Sequence, residues 1–134
     1  MIYRYTILYV DDVPDTMARF EQALGLERHM LHDSGTYGEL ATGETRLAFS
    51  ARSLMKQLGK DPGRAEAKRP VFEVAFEVPA DEVTAAYQRA LDGGFTDVQP
   101  PRTEPWGQTT AYVADPKEGF LIELCSPVAP PPQT

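Results

Sequence analysis

The chain has 134 residues, enough to bury roughly two-thirds of the surface its unfolded form exposes, so it can support one core or two small repeated ones unaided. A hydrophobic share of 42% with 25% charged residues excludes a disordered or low-complexity chain, and a single cysteine, Cys125, excludes a disulfide framework and a multi-thiolate zinc site. A formal charge of -7 argues against nucleic acid and anionic membranes as partners, no apolar run approaches the roughly 20 residues of a bilayer span, and the Tyr-rich opening lacks a secretory signal, so the expected compartment is the cytoplasm.

Ile2 to Val10 is a β-branched and aromatic run of strand length, broken by Asp11-Asp12-Val13-Pro14. Proline is tolerated in a first helical turn and Asp12 or Asp15 can cap its free amides, so a helix is expected as far as Leu24, with Val13, Met17, Phe20 and Leu24 on one face. Gly25 stops it. Three short strands follow, Glu27 to His32, Tyr37 to Ala41 and Thr45 to Ser50, separated by polar turns.

Residues 51 to 69 carry six basic and two acidic side chains, leaving the rest of the chain at -11. This stretch reads as a solvated linker, while the acidic remainder suits a cationic ligand. From Pro70 the order repeats. Val71 to Val78 alternates strictly, with Phe72, Val74, Phe76 and Val78 on one face and Glu73, Ala75 and Glu77 on the other. Asp81 to Leu91 forms a second helix with Val83, Tyr87, Ala90 and Leu91 inward and Gly93-Gly94 as its stop. Phe95 to Gln99, Thr109 to Ala114 and Phe120 to Cys125 are strands, the last two joined by Asp115-Pro116-Lys117-Glu118-Gly119. Phe20-Glu21-Gln22-Ala23-Leu24 and Tyr87-Gln88-Arg89-Ala90-Leu91 recur at matching places, which suggests a duplicated βαβββ module. The expected organisation is a first module over 1–50, a basic linker over 51–69, a second module over 70–127 and a proline-rich disordered tail over 128–134.

The duplication, Leu8-Tyr9-Val10-Asp11-Asp12 leading into a helix, the Leu24-Gly25-Leu26 stop and Asp115-Pro116-Lys117-Glu118-Gly119-Phe120-Leu121-Ile122-Glu123-Leu124 resemble the vicinal oxygen chelate superfamily, over residues 3 to 127. That group includes glyoxalase I, extradiol dioxygenases and the bleomycin and mitomycin resistance proteins. The resemblance implies an α+β fold in which two βαβββ modules form a curled mixed sheet around a crevice, often completed by a homodimer. Metal-dependent members take one ligand from the first and one from the last strand of each module, typically His or Gln, Glu, His and Glu. Those positions fall here on Tyr5, Ala48, Glu73 and Glu123, and only the last matches. A phenol with an ordinary pKa near 10 is a poor ligand, and a methyl group is none. His29 and His32 lie away from these positions. The implied reading is a protein with no metal and no other cofactor, in which enolate chemistry lacks its Lewis acid and no catalytic residue is assigned. Tyr9 stands where glyoxalase I members carry an arginine for glutathione, so glutathione is not the expected ligand.

The expected binding site is then Tyr5, Ile7, Tyr9, Ala48, Glu73, Trp106 and Glu123. Tyr3, Tyr5, Ile7 and Tyr9 share one strand face, which either packs the sheet interior or offers flat rings with polar tips to a planar ligand. Glu73 and Glu123 are either solvated carboxylates paired with Arg46 or Arg102, or a close pair whose repulsion a cation relieves. Trp106 sits between Pro105 and Gly107 and either caps the core or presents its ring at a rim; the segment resembles the Trp-Gly-Gln or Trp-Gly-Arg of resistance members. Three functions remain open: a metal-free binder of an aromatic, cationic small molecule, a metal-dependent glyoxalase-like lyase or dioxygenase whose remaining ligands lie elsewhere, and a module without ligand.

Overall fold

The computed structural model describes residues 1–128, so the proline-rich tail falls outside the described residues from 129 on. Chain contacts separate two units, residues 1–64 and residues from 65 on.

In the first unit the edge strand β1 (Tyr5–Val10) leads into α1 (Val13–Leu24), followed by β2 (Glu27–Leu31), β3 (Tyr37–Ala41) and β4 (Arg46–Ala51) in a sheet of order β1-β4-β3-β2. Of the two candidate caps, Asp12 starts α1: its carboxylate accepts the Asp15 N–H at 3.0 Å, and its carbonyl accepts the Thr16 hydroxyl at 2.7 Å. Gly25 ends the helix in the left-handed region, φ 70°, donating its N–H to the Glu21 carbonyl. Val13, Met17 and Phe20 are buried, and Phe20 meets Phe49 of β4 edge to face at 5.2 Å. Each such side chain contributes about 1.5–3 kcal/mol of transfer free energy. Gly38 of β3 lies under α1, where a Cβ would come within 2.2 Å of the Met17 sulfur. The helix therefore covers one sheet face and leaves the other, carrying Tyr5, Ile7, Tyr9, Tyr37, Glu39, Arg46, Ala48 and Ser50, as the open face.

The stretch expected to be a solvated linker holds a six-residue helix, α2 (Arg52–Gln57). Its Arg52 is buried, because the guanidinium donates to Asp11 at 2.9 Å and to the Gly63 carbonyl at 3.3 Å. Arg64 grips the same carboxylate with two N–H groups, at 2.9 and 3.1 Å, and these two arginines hold the Asp11 carboxyl below its ordinary value.

The second unit repeats the order: β5 (Glu73–Glu77), a 3-10 turn (Ala80–Glu82), α3 (Val83–Asp92), β6 (Thr96–Thr103), β7 (Thr109–Ala114) and β8 (Leu121–Cys125), in a sheet of order β5-β8-β7-β6. Neither sheet closes on itself, and the architecture is the α+β arrangement expected. Gly94, φ 97°, closes α3, with Gly94 donating to Leu91 and Phe95 to Ala90. β5 is shorter than its alternation suggested, because Val71 and Phe72 are exposed and have no strand partner. β6 instead runs past Pro100 and Pro101. Proline cannot donate to a ladder, but β6 is an edge strand, and its pairing with β7 shifts between Gln99 and Arg102.

Candidate functional site

The two registers make the halves comparable residue by residue. On the first open face Ile7 of β1 pairs with Ala48 of β4, and Ala48 with Glu39 of β3. On the second, Ala75 of β5 pairs with Glu123 of β8, and Glu123 with Tyr112 of β7. Ala48 and Glu123 thus hold equivalent places, as do Tyr5 and Glu73, each two residues before the paired position. Tyr5 and Ile7 are 42% and 44% exposed on that face, and Tyr9 is half-buried, so this tyrosine row does not pack the helix side of the sheet.

Ala48 is fully buried. Beside it lies a group that the sequence reading did not select: Glu39 is buried, accepts the Tyr37 hydroxyl at 2.8 Å and faces the Arg46 guanidinium at 3.3 Å. Burial, then the hydrogen bond to Glu39, raises the Tyr37 phenol well above its ordinary value. The Tyr-x-Glu spacing of β3 was the available signal, since alternation puts both on one face.

On the second sheet Glu73 and Glu77 of β5 share the open face with Glu123. Glu123 accepts the Tyr112 hydroxyl at 3.1 Å. Burial raises its carboxyl, with Glu73 and Glu104 adding to the rise and the Tyr112 bond opposing it. Tyr112 is raised in turn, first by burial and then by Glu123. Cys125 is raised by burial and the same carboxylates, so its thiol, which donates to the Phe76 carbonyl at 3.6 Å, is poorly nucleophilic.

Arg46 and Arg102 do not pair with Glu73 or Glu123. Arg46 meets Glu39, and Arg102 donates to Glu104 at 2.7 Å. Glu104 is buried, also accepts the Thr110 hydroxyl at 2.8 Å, and is lowered first by Arg102. It anchors the β6–β7 hairpin: Gly107, φ 93°, donates to the Glu104 carbonyl, and Glu104 donates to Gln108 at 2.8 Å. Trp106 rides the tip of this turn, 60% exposed, with its indole N–H on Gln108 at 2.8 Å, so it does not cap the core.

The donor chemistry does not fit a four-ligand metal centre. Of the four positions that the resemblance implies, one is a buried methyl and one an exposed phenol. Among the described residues no three His, Cys, Asp or Glu side chains gather as a metal cluster. His29 is exposed on β2, and His32 is engaged with Ser34 at 2.7 Å. What the arrangement offers is an acidic face with phenol donors on one sheet and a tyrosine row on the other.

Residues 2–124 match the profile of the Glyoxalase/Bleomycin resistance protein/Dioxygenase superfamily. No curated protein sequence matches the chain significantly. Among solved structures, the chain is similar to a glyoxalase-related enzyme from Fulvimarina pelagi, with TM-score 0.80 at 19% identity over 95% of this chain and 88% of that one. It is similar to a glyoxalase/bleomycin resistance protein/dioxygenase family enzyme from Burkholderia phytofirmans PsJN, with TM-score 0.75 at 19% identity over 96% and 100%. A protein of unknown function from Agrobacterium tumefaciens str. C58 is 26% identical, with TM-score 0.74 over 95% and 94%. Among the described residues no helix is long and apolar enough to cross a membrane. With the profile spanning nearly the whole sequence and the neighbours sharing its fold, the chain belongs to the Glyoxalase/Bleomycin resistance protein/Dioxygenase superfamily.

Proposed function

We propose that this protein is a metal-free receptor for a small aromatic compound bearing a positive charge, in the manner of the resistance branch of its superfamily. The observation that carries this reading is the charge of the second open face. β5, β7 and β8 contain no lysine, arginine or histidine and contribute Glu73, Glu77 and Glu123, while Arg102 of the edge strand β6 is taken up by Glu104. A cation lying over Glu123 relieves both costs that raise its carboxyl, lost hydration and like-charge repulsion. The Tyr112 hydroxyl steadies the carboxylate, and the exposed hairpin Trp106 of the same unit is the ring assigned to the ligand's flat body. We also read the matching strand orders as gene duplication, and take a homodimer working in the cytoplasm as the functional form.

The experiment is calorimetric titration with benzylammonium and larger basic aromatics, against benzyl alcohol as the neutral match. Saturable binding of the cations, weakened about tenfold or more in Glu123→Gln, is expected. Equal binding of the neutral match would remove the charge argument. Elemental analysis after loading with nickel, zinc, manganese and iron, then dialysis, tests the rival reading. A stoichiometric ion retained through Glu73 and Glu123 would make the protein a metal-dependent lyase or dioxygenase.

A further inference from the structure

A cleft of about 400 Å³ opens in the first unit, away from the paired centre of the sheet, lined by Ile2, Tyr3, Arg4, the β3–β4 turn residues Gly43, Glu44 and Thr45, and Arg46. Its volume lies in the range of small-ligand sites. Its chemistry is opposite to that of the second sheet, because two guanidinium groups share it with one carboxylate, in a protein whose net charge is -7.

The walls are fixed by hydrogen bonds that leave the arginine side chains available. The Arg4 carbonyl accepts the Arg46 N–H at 2.9 Å, extending the β1–β4 ladder by one rung. The Thr45 hydroxyl donates to the Tyr3 carbonyl at 3.3 Å, tying the N-terminal segment to the turn. Thr42 braces the turn from within, donating to the Thr45 carbonyl at 2.9 Å and accepting the Leu47 N–H at 3.0 Å. The Tyr3 hydroxyl meets that of Thr6. Within this frame the exposed guanidinium of Arg4 has no hydrogen-bond or ion-pair partner among the described residues. Arg46 makes a single 3.3 Å contact with Glu39, which occupies one of its five N–H donors. Ile2 and Tyr3, 72% and 66% exposed, give the cleft an apolar wall next to these donors.

We propose that this cleft binds a small organic anion, a carboxylate on an aromatic or branched apolar body, with Arg4 as its principal charge partner and Arg46 as the second. A carboxylate matches the planar fork of a guanidinium with two parallel hydrogen bonds, which a neutral or cationic group of the same shape cannot form. The apolar body lies against Ile2 and Tyr3, and Glu44 at the turn repels ligands carrying a second negative charge. The proposal is independent of the cationic site, which uses the other sheet.

The test is a titration of the full chain with sodium benzoate at constant ionic strength, followed by amide chemical shifts. Saturable shifts confined to residues 2–6 and 42–47 are expected, and benzylammonium should leave those residues unmoved. Arg4 is exposed and makes no side-chain bond to the protein, so Arg4→Gln should fold normally, and it should weaken benzoate about tenfold, while Arg4→Lys should retain part of the affinity. Absence of saturable shifts, equal benzoate affinity in Arg4→Gln, or equal response to benzylammonium would each overturn the proposal. Because Glu123→Gln alters only the other sheet, unchanged benzoate binding in that variant separates this site from the receptor reading.

Discussion

The two sheets share a strand order and a register but put opposite chemistry at the same place. At the β4 position is Ala48, buried and flanked by a carboxylate that already has a tyrosine and an arginine; at the matching β8 position is Glu123, half-exposed, with a tyrosine but no cation. Glu39 is neutralised across the ladder, whereas Glu123 stands among further carboxylates. A shared backbone therefore sets where side chains go, while the choice of cross-strand partner sets what each half can bind.

The sharpest way to break this comparison is to exchange the two residues. Ala48→Glu places a charge in a fully buried spot beside Glu39 and should cost on the order of 3 kcal/mol or more in urea denaturation. Next in size, Glu39→Leu leaves the Tyr37 hydroxyl without its acceptor and should cost about 2 kcal/mol by the same measurement. The pH profiles should then diverge in sign. Glu123 is raised in the folded protein, so its ionisation opposes folding: relative to Glu123→Gln, the wild type should lose stability as pH rises from about 4.3 through the raised value. Asp11 is lowered by Arg64 and Arg52, so its contribution is present at neutral pH and disappears on acidification; Asp11→Asn should begin to approach wild type below about pH 4 and meet it only once the pH has fallen through the lowered folded-state value. Smallest of all, Trp106→Phe at the exposed hairpin tip should shift stability by less than about 0.5 kcal/mol, which thermal melting can check.

Most of the fold was legible because alternation and helix stops are local signals. The Glu73–Glu77 face, the Asp12 cap and the stops at Gly25 and Gly93-Gly94 need only a few consecutive residues to be read. Face membership of Tyr5, Ile7 and Tyr9 followed from the same period. What stayed hidden was partnership. Arg46 with Glu39, Arg102 with Glu104 and Tyr112 with Glu123 are relations set by register or hairpin geometry, which no single strand encodes. α2 was hidden for another reason: in Arg52–Gln57 the basic composition masked Met55, the one apolar side chain that the helix buries.

The turn Asp115–Gly119, which carried much of the family resemblance, has a further consequence. Gly119 has φ 76°, and a Cβ there would come within 2.8 Å of the Ala65 carbonyl oxygen, while the Asp115 carboxylate holds the turn by accepting the Glu118 N–H at 3.1 Å. The turn is thus a berth for the backbone that begins the second unit, and the missing methyl group is the clearance that lets the chain moor there.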